Sequence, residues 1–203
     1  MGTVREFRLR TTGPEGTRAV AAAVARHLEP GDVVALSGEL GAGKTCFVQG
    51  AAAELGVERT VTSPTFVLVR QYAGRLPIVH CDVYRLDRLG DLLELGDEVL
   101  APDVVTFIEW GDAVATLLPA DRWDIDLRAP APDGADGTDG TDGTDGQGSD
   151  QSSPGGSDVD EDVPEGADRS IVVRLAGRTA ERVAAVAAEF DADPTVTVDG
   201  GER

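Results

Sequence analysis

A glycine-rich stretch between two apolar segments constrains the fold of this chain more than any other feature. Residues 38–45, here called the phosphate loop, read GELGAGKT and match the pattern G-x-x-x-x-G-K-[ST]. The near-continuous apolar run 32–37 precedes them, and a helix pattern over 44–55 follows, ended by Gly56. Glycine lets the backbone approach phosphate oxygens closely, and the helix start adds its positive dipole end. The sequence therefore predicts a phosphate-binding loop between a buried strand and a helix.

The remaining hydrophobic patterns predict an α/β fold. Strand and helix patterns follow one another along most of the chain, an order typical of a sheet covered by helices. The predicted strands are 7–10, 32–37, 65–72, 77–83, 104–109, 123–128 and 170–175, and the predicted helices are 17–28, 44–55, 89–100 and 180–190. We expect a three-layer, P-loop NTPase-like sheet with flanking helices.

An acidic segment interrupts this pattern near the C-terminus. Between Pro130 and Asp168 lie twelve acidic residues, no basic residue and almost no large apolar side chains. Such a composition cannot offset the entropy of ordering the chain, so we expect a disordered loop. Its Asp–Gly repeat has a period of three and no apolar residue in each unit, which disfavours a calcium-binding β-roll. We divide the chain into a P-loop core (1–129), a disordered acidic insertion (130–169) and a strand and helix that complete the core (170–203).

The net charge of −19 comes largely from that insertion. Of the 37 acidic residues, 25 lie outside it and stand against 18 basic ones, which leaves no basic surface for direct RNA binding. The two cysteines lack zinc-type spacing, and the chain shows neither a leader pattern nor a membrane-length apolar run. We expect a cytoplasmic protein that makes no membrane contact.

Lys44 and Thr45 have defined roles in a phosphate loop. Lys44 is expected to reach the β- and γ-phosphates, and the Thr45 hydroxyl to bind Mg²⁺. Two apolar strands end in acids, Asp82 and Glu109, which are candidates for holding the metal or orienting water at the carboxyl edge of the sheet. Each acid also has a plainer interpretation as a solvated carboxylate. We favour the functional one because both strands are predicted neighbours of the loop.

His80 invites a metal-site interpretation, since Cys81 and Asp82 follow it directly. Adjacent residues of a strand point to opposite faces, so these three side chains cannot all bind one ion. A structural role for His80, or a role in supporting the site, is the better prediction.

The nucleotide is expected to be ATP. The chain contains no N-K-x-D guanine motif, and Asp82 does not begin a D-x-x-G motif. A small-molecule kinase stays open as an alternative, although no compact arginine cluster suggests the lid that such enzymes carry. A protein that senses a nucleotide only to control docking is a third possibility.

Four ordered motifs carry a resemblance to a known family. After GELGAGKT come TSPTF at 62–66, HCDVYRL at 80–86 and IEW at 108–110, and together they resemble the TsaE family of bacterial tRNA threonylcarbamoyladenosine biosynthesis. The resemblance extends over about 7–128, with a weaker continuation over about 170–198. It implies a slow ATPase that supports turnover of a transferase formed with the TsaB and TsaD proteins. That transferase modifies the adenosine next to the anticodon of tRNAs reading ANN codons, so this chain would meet tRNA only indirectly.

The resemblance also implies roles for particular residues. Thr45 and Glu109 would serve Mg²⁺ together with Asp82 as a Walker-B-like acid. Trp110 either covers the nucleotide or packs at an interface, and its plainer interpretation is core packing. Thr65 either senses the γ-phosphate or simply follows a proline at the start of a strand. The positions expected to contact ATP are Thr11, Glu39, Leu40, Gly41, Ala42, Gly43, Lys44, Thr45, Cys46 and Thr65. Cys46 stands where the family often has a threonine, which weakens a hydrogen bond to phosphate because a thiol is a poorer donor.

Overall fold

The computed structural model describes residues 5–64, 67–84, 99–128, 168–175, 180–190 and 197–201. Its strands are β1 (Arg5–Thr12), β2 (Val33–Ser37), β3 (Val69–Tyr72), β4 (Ile78–Asp82), β5 (Val105–Glu109), β6 (Trp123–Arg128), β7 (Asp168–Leu175) and β8 (Thr197–Gly201). Its helices are α1 (Gly13–Arg26), α2 (Lys44–Glu54) and α3 (Ala180–Ala188), with a 3-10 helix at Gly111–Val114.

The eight strands form one mixed sheet in the order β3-β4-β5-β2-β6-β7-β1-β8. The central strands β4, β5, β2 and β6 run parallel to one another. The remaining strands pair antiparallel with their neighbours: β3 with β4, β7 with β6 and β1, and β8 with β1. Parallel strands bring their carboxyl ends to one edge of the sheet. The loops that follow β2, β4 and β5 therefore meet at that edge.

Burial explains why the central strands read as continuous apolar runs. All five residues of β4 and of β5 are buried, as are the first four of β2, because both faces of the sheet are covered there. One face packs against α1, α2 and α3 through side chains such as Val20, Phe47 and Val186. The opposite face packs against Val114 of the 3-10 helix and Leu118. The predicted α/β fold class is confirmed.

Two of the predicted elements begin four residues away from the predicted start. The first helix begins at Gly13, four residues before the predicted start, because Pro14 fits the first helical turn, where no backbone donor is needed. The strand predicted over 65–72 begins only at Val69. The amides of Val67 and Leu68 both donate to the Pro64 carbonyl oxygen, at 2.8 and 2.7 Å, and so close a turn.

Several predictions lie outside the described residues. These are most of the helix at 89–100, all but the last two residues of the acidic insertion at 130–169, and Thr65. The division into a core, an insertion and a C-terminal completion stays a prediction. Within the described ranges, no helix is long and apolar enough to cross a membrane.

Candidate phosphate-binding site

Three glycines with positive φ set the path of the phosphate loop. The φ angles are 138° at Gly38, 75° at Gly41 and 99° at Gly43. A Cβ atom on Gly38 would lie 2.2 Å from the carbonyl oxygen of Leu127, because β6 passes close to the start of the loop. A Cβ atom on Gly41 would have no atom within 4 Å. The loop therefore needs glycine for its backbone angles, and at position 38 also for space.

Lys44 is folded back onto the loop that precedes it. Its Nζ donates to the carbonyl oxygens of Gly38, at 2.9 Å, and Glu39, at 2.8 Å. The same nitrogen lies 3.7 Å from the centroid of the Trp110 ring, a cation–π arrangement. Lys44 is only 5 % exposed, so this charge is held close to the loop and is poorly hydrated.

Thr45, Glu109 and His80 are joined through a single oxygen atom. Thr45 Oγ1 donates a hydrogen bond of 2.8 Å to Glu109 Oε1, and His80 Nε2 lies 2.8 Å from the same oxygen. Because an ionised carboxylate only accepts hydrogen bonds, His80 must donate through Nε2. Glu109 and His80 are buried at 4 % and 0 % exposure. This contact links the first turn of α2 to the end of β5 and the middle of β4.

Asp82 lies beside Glu109 but makes different contacts. The two acids are register partners at the ends of β4 and β5. Asp82 Oδ2 accepts a hydrogen bond of 3.3 Å from the Ser63 hydroxyl, and Oδ1 accepts one of 3.0 Å from the Tyr84 backbone amide. Asp82 therefore connects the end of β4 to residues 61–64, which include the first part of the TSPTF motif.

The strands that end in these two acids lie at different distances from the strand that precedes the phosphate loop. Only β5 pairs with β2, and β4 is the next strand outward. Asp82 still lies at the carboxyl edge, one strand further from the loop than Glu109.

Trp110 and Tyr84 form an aromatic pair at the same edge. Their ring centroids are 4.8 Å apart with the planes tilted by 36°. Trp110 has a left-handed backbone conformation, with φ of 62°, at the turn between β5 and the 3-10 helix. Tyr84 is 60 % exposed. The indole ring therefore contacts both the Lys44 ammonium and a solvent-facing ring.

The other predicted contact residues lie around this centre. Thr11 is 3 % exposed, and its hydroxyl has no hydrogen-bond partner in the described part of the chain. The Cys46 thiol donates to the Pro14 carbonyl oxygen at 3.4 Å and so ties α2 to the start of α1. On the loop itself, Leu40 is 74 % exposed, whereas Ala42 is buried.

The chemistry of these side chains fits magnesium. The hydroxyl of Thr45 and the carboxylates of Glu109 and Asp82 are hard oxygen donors, which Mg²⁺ prefers. Within the described ranges, no group of three or more His, Cys, Asp or Glu side chains has the geometry of a metal site. Mg²⁺ is commonly bound by one or two carboxylates together with the phosphates of a nucleotide.

A cleft of about 580 Å³ borders the loop on the other face of the sheet. It is lined by Asp124 and by two arginines. Along β6, Asp124 alternates with side chains that face the helices. Arg122 is paired with Asp124 and Arg174 with Glu6, both at 2.7 Å. Because both arginines have acidic partners, this cleft is a weaker phosphate site than the loop.

A sheet with a parallel centre, in which a central strand leads through a glycine loop into a helix, belongs to the P-loop class of folds. Within that class, residues 11–134 match the family described as "Threonylcarbamoyl adenosine biosynthesis protein TsaE". The chain belongs to the TsaE family, and the resemblance seen in the sequence motifs is confirmed.

Individual relatives agree with this assignment. The chain is 40% identical over 126 residues to the tRNA threonylcarbamoyladenosine biosynthesis protein TsaE of Bacillus subtilis, covering 62% of this chain and 79% of that protein. It is 50% identical over 106 residues to the protein of the same name from Treponema pallidum, covering 52% and 78%. The crystal structure of Bacillus subtilis YdiB superposes with a TM-score of 0.65 at 27% identity, covering 93% of this chain and 98% of that one.

Sequence reasoning did not identify Gln49 or Tyr84 as parts of this region. Gln49 Nε2 donates to the Val61 carbonyl oxygen at 3.1 Å and so attaches residues 61–64 to α2. No motif signals that contact. Tyr84 belongs to the HCDVYRL motif, so its place beside the site had a signal in the sequence.

Proposed function

We propose that this chain is a magnesium-dependent ATPase that takes part in forming threonylcarbamoyladenosine in tRNA. Its family and the names of its relatives support the pathway. ATP and Mg²⁺ are the proposed cofactors, and TsaB and TsaD proteins the proposed partners. In this proposal the chain hydrolyses ATP slowly in the cytoplasm and supports turnover of the TsaB–TsaD transferase. The tRNAs are those that read ANN codons, and this chain contacts them only indirectly.

The observation that carries the proposal is the hydrogen bond from Thr45 to Glu109. Thr45 follows the loop lysine directly, and its hydroxyl proton points to a buried carboxylate 2.8 Å away. With the proton held there, the lone pairs of the hydroxyl oxygen are left to bind a cation. A phosphate loop uses its Ser or Thr in this way to hold Mg²⁺ against the nucleotide phosphates.

Each residue of the centre then has a distinct task. Lys44 turns from the carbonyl oxygens of Gly38 and Glu39 to the β- and γ-phosphates. Glu109 accepts the Thr45 hydroxyl proton and so keeps the lone pairs of the hydroxyl oxygen directed towards the metal. When bound, Mg²⁺ supplies positive charge that offsets the charge developing on the phosphates. The backbone amides of the loop, from Gly41 onward, bind the phosphate oxygens.

Asp82 is proposed to couple the reaction to residues 61–64. Its carboxylate accepts the Ser63 hydroxyl, and Gln49 holds the Val61 carbonyl oxygen at the other end of that segment. A shift of Asp82 towards the metal or towards the attacking water would break its hydrogen bond to Ser63. The segment would then respond to the state of the nucleotide.

ATP hydrolysis by the purified chain tests this proposal. We compare wild type, Lys44→Ala and Glu109→Gln, each alone and with TsaB and TsaD proteins. We expect slow turnover that the partners raise. Each substitution should lower turnover by roughly 100-fold or more, because it removes a preorganised charge from the site.

Asp126→Asn is the matched control for Glu109→Gln. Asp126 lies on β6 opposite Ser37 of β2, but its carboxylate pairs with Arg128. This variant should hydrolyse ATP at the wild-type rate. Turnover that ignores the partners would remove the proposed place in tRNA modification, and turnover that requires a phosphate acceptor would indicate a kinase. Partner binding and tRNA modification that both survive Glu109→Gln would indicate a nucleotide sensor.

A further inference from the structure

His80 is a buried polar residue to which the proposed reaction has so far given no task. It lies in the middle of β4 at 0 % exposure, with Nε2 against Glu109 Oε1 at 2.8 Å. Its other ring nitrogen, Nδ1, is buried and has no hydrogen-bond partner among the described residues. A side chain that served packing alone would not need this polar ring, since a buried unpaired nitrogen costs free energy.

The sheet places His80 on the same face as the site. His80 and Asp82 are two residues apart on β4, so their side chains point to one side, and Phe107 and Glu109 repeat that pattern on β5. Ile78 and Phe107 on this side pack in the core that α1 and α2 cover. Cys81 points to the opposite core cluster. The histidine is therefore the polar residue just below the two site carboxylates.

The hydrogen-bond pattern gives a direction to the contact between His80 and Glu109. Nε2 faces a carboxylate oxygen, which accepts hydrogen bonds, so the ring donates there. Nδ1 has no hydrogen-bond partner among the described residues. Within them, the bond to Glu109 is therefore the one hydrogen bond that the His80 ring makes.

We propose that His80 is a positioning residue that orients Glu109 for magnesium binding, an inference that rests on the proposed function. Glu109 Oε1 accepts from Thr45 on one side and from His80 on the other, so the two donors together restrict rotation of the carboxylate. Without His80, the carboxylate can turn away from Thr45, and the hydroxyl loses the acceptor that keeps its lone pairs towards the cation. Mutation of a residue that orients a metal-binding side chain in this way typically lowers metal affinity by 10–100-fold.

The test measures the affinity for a non-hydrolysable ATP analogue in Mg²⁺ and in EDTA, and needs no turnover. The ratio of the two dissociation constants gives the magnesium contribution for wild type, His80→Leu and His80→Gln. Glutamine retains an N–H donor at a similar reach. We expect His80→Leu to reduce the magnesium contribution by roughly tenfold or more, with EDTA affinity unchanged, and His80→Gln to restore most of it.

Two further variants separate positioning from general damage. Val79→Ala removes packing from the same strand on the opposite face, so its magnesium contribution should equal that of wild type. In the Glu109→Gln background, His80→Leu should have little further effect, because both changes act through one carboxylate.

The outcomes distinguish the inference from the proposed function. If Mg²⁺ strengthens nucleotide binding equally in wild type and in His80→Leu, the role of His80 is overturned while the proposed function stands. Equal losses in Mg²⁺ and EDTA, or equal losses in Val79→Ala, also overturn it, because they indicate a structural role. A wild-type chain whose nucleotide affinity ignores Mg²⁺ overturns the proposed function and the inference with it.

Discussion

Replacing Gly38 or Gly41 with alanine tests how the phosphate loop is supported. Both residues have positive φ, at 138° and 75°, so both alanine variants carry backbone strain. For Gly41→Ala strain is the whole expected effect, about 1–2 kcal/mol, since nothing lies within 4 Å of the new Cβ. For Gly38→Ala the Cβ would lie 2.2 Å from the Leu127 carbonyl oxygen, so the loop and β6 must separate. Overpacking of this kind adds about 1–3 kcal/mol to the strain, for a total of about 2–5 kcal/mol.

Urea unfolding followed by circular dichroism measures both variants against wild type. At about 2–4 °C per kcal/mol for a chain of this size, the corresponding loss in melting temperature is about 2–8 °C for Gly41→Ala and about 4–20 °C for Gly38→Ala. Equal losses for the two variants would refute the reasoning, because the Leu127 contact would then contribute nothing. A larger loss for Gly41→Ala would refute it as well.

Two further predictions concern ion pairs remote from the loop. Arg182→Met should lower the free energy of unfolding, measured in urea, by about 2–3 kcal/mol. The reason is that Arg182 donates two hydrogen bonds, of 2.7 and 2.8 Å, to the mostly buried Asp32 carboxylate. A loss below about 0.5 kcal/mol, as at an exposed pair, would contradict this. The hydrogen bond from Arg174 lowers the pKa of Glu6 from 4.5, so its stabilisation is complete above the unfolded pKa and is lost as pH falls through the folded one. Glu6→Gln should therefore be less stable than wild type at pH 7 by at most about 1 kcal/mol and equal to it at strongly acidic pH, and a difference that grows on acidification would contradict the sign.

The local parts of the candidate site could be predicted from the sequence. The pattern GELGAGKT between a strand and a helix predicts Lys44 and Thr45 as neighbours of a phosphate, because the positions of adjacent residues follow from a few backbone angles. Asp82 and Glu109 could be predicted as strand-end acids for a similar reason. The family could be predicted because four motifs occur in order.

The arrangement of those parts could not be predicted in the same way. Strand order decides that Glu109 lies next to the loop strand and Asp82 one strand further out. The extent of β3 was also mispredicted, because the Pro64 carbonyl oxygen accepts two amides in a turn that competes with strand pairing.

The sequence by itself determined the class of fold, the loop that binds phosphate in such folds, and which side chains are available to it. Only the tertiary structure decided that Thr45 and His80 meet on one oxygen of Glu109, and that Trp110 lies against Lys44. The physical reason is the separation along the chain. Contacts within a loop or a turn of helix follow from local backbone geometry, whereas residues 29 or 64 positions apart meet only through the pairing and packing of a whole sheet.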